Sequence, residues 1–144
     1  VIITSCGGFP KDISLYQGTK AIDNVESGLK PGGTLILIIE ARDGGGPAEY
    51  FDWSKDLTAG TIEQRLREHF TVAGYIFFLN CEQAQRYNIL LYSSIDPKDV
   101  EPMGMKAFSD VDSLLAAAQL DGKSVYVIPN GSTVISHVKE DNKA

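Results

Sequence analysis

The segment that most constrains this fold is Thr34-Leu35-Ile36-Leu37-Ile38-Ile39, a run without polar alternation launched by Lys30-Pro31-Gly32-Gly33. A strand with one wet face alternates apolar and polar residues, so an unbroken run predicts a strand covered on both faces, as in a parallel sheet between helix layers. A parallel neighbour needs a long crossover, usually a helix. The preceding sequence supplies both parts: Val1 to Thr4 reads as a buried strand, and Ser14 as the N-cap of a helix to about Gly28. Ile13, Ala21, Ile22, Val25 and Leu29 make that helix's apolar side.

The same alternation continues downstream. Thr61 to Phe70 reads as a helix with Thr61 or Gly60 near its cap, Tyr75 to Leu79 as a buried strand, Glu82 to Tyr87 as a short helix and Asn88 to Tyr92 as a strand. Ser109 is the candidate cap of a later helix whose apolar stripe is Leu114, Leu115, Ala118 and Leu120, ended by Asp121-Gly122. Val125 to Ile128 is the last strand, Pro129 to Thr133 a turn, and 139–144 a charged, frayed tail. The expected class is α/β: a three-layer α/β/α sandwich around a mostly parallel sheet, with room for an antiparallel edge strand. Strand order is not readable from the pattern.

The size and the balance of 43% hydrophobic against 22% charged residues fit one soluble domain over 1–144. A formal charge of −6 offers no general attraction to a polyanion, so nucleic acid is not an expected partner. No apolar run reaches the roughly 20 residues that span a bilayer, so no membrane partner is expected and the setting is read as cytoplasmic. Cys6 and Cys81 form neither a dense framework nor a C-x-x-C pair and are expected to be reduced. A chain opening directly on an apolar β-branched run reads as a domain cut from a longer protein.

The candidate chemistry gathers where the first strand hands over to the first helix, the usual edge of a ligand crevice in open α/β sheets. Asp12, Tyr16, Gln17 and Lys20 lie there, beyond the turn Cys6-Gly7-Gly8-Phe9-Pro10. Gln17 and Lys20 are three residues apart and share a helix face, so both could close on one small anion. A carboxylate suits them: lysine brings charge and mobile donors, glutamine a donor and a separate acceptor. The alternative is an ordinary solvent-facing pair. Asp12 could brace the start of the helix, and Tyr16 could simply pack.

Gly7-Gly8 and Gly44-Gly45-Gly46 complete neither phosphate-binding glycine motif and read better as tight turns, together able to shape a ligand opening. Arg42 and Asp43 could join that surface, pair with each other or meet water. His69 and His137 are far apart and make no metal-spaced cluster, so no metal ligand and no cofactor-binding residue is assigned.

The blocks Thr4-Ser5-Cys6-Gly7-Gly8-Phe9-Pro10, Asp12 and Tyr16-Gln17-Gly18-Thr19-Lys20 resemble the C-terminal domain of the nickel-pincer lactate racemase family, in the pattern T-S-x-G-G-x-P followed by D-x-x-x-Y-Q-x-x-K. Pro31-Gly32-Gly33, Glu40-Ala41 with Asp43-Gly44, and Pro129-x-Gly131 extend the resemblance in order along most of the chain. Cys6 departs from it, standing where a small polar residue such as asparagine is more usual. The resemblance implies a two-domain enzyme with its active site between the domains and a nickel-pincer nucleotide anchored mostly by an N-terminal domain outside this chain. It implies racemisation of lactate or a related 2-hydroxy acid by reversible hydride transfer to the pincer, with histidines of the missing domain acting on the hydroxyl. Gln17 and Lys20 match residues that contact substrate, Asp12 and Tyr16 match supporting positions, and the isolated domain is expected to lack both the cofactor and activity. The competing expectation is a noncatalytic carboxylate-binding or interaction domain on the same scaffold.

Overall fold

A computed structural model describes residues 1–138. Five strands, β1 (Ile2–Ser5), β2 (Thr34–Ile38), β3 (Asn88–Tyr92), β4 (Lys106–Phe108) and β5 (Tyr126–Ile128), form one sheet in the order β4-β3-β2-β1-β5. All four pairings are parallel, so the edge positions that could have been antiparallel are not. The helices are α1 (Leu15–Val25), α2 (Ser54–Ala59), α3 (Ile62–Glu68), α4 (Val72–Arg86), α5 (Pro97–Val100) and α6 (Val111–Ala118).

The order has a functional consequence. From β1 to β4 the chain steps steadily outward, then α6 carries it back across the sheet to β5, beside β1. Right-handed crossovers put connections that travel in opposite directions on opposite faces, and the packing follows. Leu35, Leu37, Ile89 and Leu91 share the larger core cluster with Leu15, Ile22 and Phe77, whereas Ile36 and Leu90 cluster with Leu114 and Ala118 of α6. The direction of travel reverses between β1 and β5, and this topological switch point is where open α/β sheets leave a crevice at the strands' carboxyl ends.

Most expected elements are present. Ser14 caps α1, its hydroxyl accepting from the Gln17 amide at 3.4 Å, and a single 3₁₀ turn carries the helix on to Gly28. Three expectations are corrected. Tyr75 to Leu79 is not a strand but the middle of α4, which also absorbs the short helix read at 82–87. The Thr71 hydroxyl accepts from Gly74 N at 3.0 Å, and Ala73, Phe77, Asn80 and Cys81 are buried at helical spacing, a periodicity hidden by the aromatic run. The cap of α6 is Asp110 rather than Ser109, its carboxylate accepting from Ser113 N at 2.8 Å. That helix stops at Ala118 on a left-handed Gln119, before Asp121-Gly122, and leaves Leu115 exposed rather than in the buried stripe. Strand β4 carries no expectation from the sequence; three residues are too few to show a pattern. The tail read at 139–144 lies outside the described residues.

A buried polar relay joins α1 to α4. Tyr50 Oη and Thr19 Oγ1 donate to Asn80 Oδ1 at 2.6 and 2.9 Å, Asn80 Nδ2 donates to Gln83 Oε1 at 3.0 Å, and Gln83 Nε2 donates to Asp23 Oδ1 at 2.6 Å. Each bond satisfies a polar group that would be costly if buried alone. The relay fixes the rotation of α1 about its axis, and hence where Gln17 and Lys20 point.

Candidate functional site

Two loops that follow parallel neighbours meet at the switch point. The loop after β1 and the turn after β5 are knitted together: Thr4 Oγ1 donates to Ile128 O at 2.9 Å, Ser5 Oγ donates to Pro129 O, and Ser132 Oγ donates to Cys6 O at 2.7 Å. Gly131 is the pivot, because a Cβ there would collide with Thr4 Oγ1 and press on Ala21 Cβ at 3.2 Å. The absent side chain lets α1 seat directly on the β5 turn, and Asn24 Nδ2 donates to Gly131 O at 2.9 Å.

Gln17 and Lys20 stand one turn N-terminal to this contact. Lys20 Nζ donates to Gln17 Oε1 at 2.9 Å, so the face shared by spacing is shared in fact. Gln17 is half-buried and Lys20 exposed, and none of the ion pairs among the described residues involves Lys20. The bond uses the amide's acceptor and leaves its NH2 group and two ammonium hydrogens facing outward. Two adjacent donor groups, one charged, thus sit side by side on this face.

The backbone at the start of α1 is not part of that pair. Leu15 N donates to Gly44 O at 2.9 Å and Tyr16 N to Gly45 O at 3.2 Å, so the glycine loop after β2 consumes amides that could otherwise hold an anion. Gly46, at φ +98°, allows this approach, since a Cβ would meet Ser14 Oγ at 2.7 Å. The triple glycine is therefore a plug against the helix and not a phosphate cradle.

Asp12 and Tyr16 occupy different surroundings. Tyr16 packs edge-on to the buried Tyr50, with centroids 6.4 Å apart, which seats the helix. Asp12 accepts from Ala41 N at 2.8 Å through its backbone carbonyl and its side-chain Oδ1 is buried without a partner, while the residue borders a depression with Glu40, Tyr92 and Ser94. The Arg42 guanidinium lies 4.4 Å over the exposed Phe9 ring, tying the loop after β2 to the loop after β1. Burial, helped by the nearby Asp12 carboxylate, pushes the Cys6 thiol up to about 11, and burial pushes Cys81 to about 12. Neither is poised as a nucleophile.

Sequence reasoning missed the hydroxyl stitching by Thr4, Ser5 and Ser132 and the relay through Asn80. The first had no local signal, since its partners are more than 120 residues apart. The second left a trace, Asn80 and Gln83 three apart beside an aromatic run.

Taken together, these features define a parallel α/β domain with Gln17 and Lys20 paired on α1 beside its switch point. A profile of the lactate racemase C-terminal domain matches residues 1–136. The chain belongs to that family. It is 27% identical over 148 aligned positions to the lactate racemase of Lactiplantibacillus plantarum, covering 94% of this chain and 34% of that protein. It is 38% identical over 56 residues to the lactate racemase of Thermoanaerobacterium thermosaccharolyticum, which spans 39% of this chain and 13% of the relative. The solved structure of the lactate racemase apoprotein from that organism superposes with a TM-score of 0.78 at 25% identity, over 93% of this chain and 34% of that one. In these matches the chain spans no more than 34% of the relatives' length.

Proposed function

We propose that this chain is the C-terminal, substrate-orienting part of an enzyme that racemises or epimerises lactate or a related 2-hydroxy acid. The observation that carries the reading is the Lys20–Gln17 pair beside the switch point in a chain of this family. A 2-hydroxy acid offers a carboxylate next to its reacting carbon. Lys20 would offset the carboxylate charge, and the Gln17 amide would set the plane in which it lies. Both are positioning effects and preorganised electrostatics, with no proton taken by either group. Asp12 and Tyr16 support the pair by holding the loop and the helix that carry it.

The described residues do not fit a nickel site: no three His, Cys, Asp or Glu side chains are grouped to hold a metal, and both thiols are buried and held protonated. A nickel-pincer nucleotide and the groups acting on the substrate hydroxyl would belong to an N-terminal domain of the parent protein. The isolated chain would then bind and orient without turnover.

The test is to purify the full-length parent with the pincer-making machinery and follow loss of optical purity across a panel of 2-hydroxy acids. Turnover of at least one acid with nickel bound is the expected result. A parent with neither turnover nor nickel overturns the reading, and carboxylate binding in that parent would assign the scaffold to a noncatalytic module.

A further inference from the structure

The segment that leaves β5 runs back along α1 as a strap and grips one residue of the helix twice. At the near end of the strap, Asn24 Nδ2 donates to Gly131 O at 2.9 Å. At the far end, Ser136 N donates to Asn24 O at 2.7 Å and Ser136 Oγ donates to Val25 O at 2.9 Å. Ser136 also accepts, its Oγ from Gly28 N at 3.1 Å and its carbonyl from Ser27 Oγ. The last carbonyls of a helix have no partner within it, and here two of them are answered from a residue 111 positions beyond Val25. The fit is close at both ends: a Cβ on Gly131 would press on Ala21 Cβ at 3.2 Å, and one on Gly28 would meet Ser136 Oγ at 3.0 Å.

Asn24 continues the stripe that carries the candidate site. Gln17, Lys20 and Asn24 follow one another at spacings of three and four, so they lie along one face of α1. The face that bears the pair is therefore the face that the strap holds. The other attachments of α1 act elsewhere: the polar relay is made through Thr19 and Asp23, and the glycine loop takes the amides of Leu15 and Tyr16. Neither joins the helix to the turn after β5; the strap does. We infer that Asn24 and Ser136 are positioning residues, which set how far the Lys20–Gln17 pair stands from that turn and so where the carboxylate of a 2-hydroxy acid lies. The inference rests on the substrate-orienting role proposed for the pair. A misplacement of about 1 Å can cost roughly a hundredfold in rate.

Two variants of the full-length parent test the inference. Asn24→Asp keeps the size of the side chain but sets a carboxylate against Gly131 O, and Ser136→Ala removes the hydroxyl that bridges Val25 and Gly28. Each should lower kcat/KM for a 2-hydroxy acid by roughly tenfold. In a Lys20→Ala background the same change should cost no more than about twofold, because losses that act through one group do not add. Equal losses in both backgrounds overturn the inference, and so does a lowered melting temperature with kcat/KM intact; either result gives the strap to stability alone. Backbone amide exchange reads the same coupling without turnover. Both variants should speed exchange at residues 15–20, at the far end of the helix from Ser136, and faster exchange confined to residues 24–28 overturns the inference. Should Ser136→Ala fail to fold, Ser27→Ala removes the bond to Ser136 O and is read the same way. A parent that turns over no 2-hydroxy acid, yet shows the faster exchange at 15–20, overturns the proposed function and leaves the placement of the pair by the strap standing.

Discussion

One face of this sheet is finished as far as β1, where Ile2 is buried, and the other only as far as β2, with Ile3 of β1 half-buried. On the finished face Leu35, Leu37, Ile89 and Leu91 lie wholly buried with the residues of α1 and α4, and the polar groups between those helices are paired. On the other face the same β-branched chemistry runs from buried Ile36 to exposed Val127 within one row of the sheet. The difference teaches that burial here was not set by residue type. It was set by which strands the returning helix α6 crosses.

The largest predicted effect contrasts the two faces directly. Leu37→Ala should destabilise the chain by about 2–5 kcal/mol through lost burial and a residual cavity. Val127→Ala should stay within about 0.5 kcal/mol in the chain alone. Urea unfolding followed by fluorescence of the single tryptophan, Trp53, reads both. A comparable loss for Val127→Ala would break the comparison.

Next comes the polar relay of the finished face. Asn80→Ala removes the partner of Tyr50, Thr19 and Gln83 and should cost about 1–3 kcal/mol for each group left dry. Because the relay sets the rotation of α1, a fall in substrate affinity should accompany the loss of stability in the full-length parent. Stability lost with affinity intact would confine the relay to structure.

Lys20→Ala in the parent sharpens the distinction between scaffold and site. Losing one charge-assisted contact of about 1.5–3 kcal/mol should lower kcat/KM for a 2-hydroxy acid by roughly tenfold to a hundredfold. The melting temperature should hardly move, since the side chain is exposed. Unchanged kinetics would remove Lys20 from the site.

The smallest effect is a pH dependence. Burial raises the Asp23 carboxyl above its ordinary 3.8, with the Gln83 hydrogen bond offsetting part of the shift. The folded state then holds this proton more tightly than the unfolded chain, so stability from this group falls as pH rises from the ordinary carboxylate range through the raised folded value. Asp23→Asn keeps the acceptor for Gln83 and should flatten that part of the profile. A profile identical to the native one would show that Asp23 does not carry the dependence.

Much of this was legible in the sequence because the signals were local. The apolar run at 34–39 announced a doubly covered strand, Ser14 announced the start of α1, and the three-residue spacing placed Gln17 beside Lys20. Tyr75 to Leu79 misled because five apolar and aromatic residues suit a buried strand and a buried helix equally. Length and the cap at Thr71 decided for the helix. The triple glycine was legible as a turn, but its plugging of the amides of Leu15 and Tyr16 was not, since that required two distant loops to meet.

By itself the sequence determined the parallel α/β class, the order of most elements and the pairing of Gln17 with Lys20 on one helix face, because caps, runs and helical spacing act within a few positions along the chain. Only the tertiary structure decided the strand order, the switch point between β1 and β5, and the exposure of the β5 edge beside it. These depend on where α6 returns across the sheet, and the contacts that set that path join residues far apart in the chain.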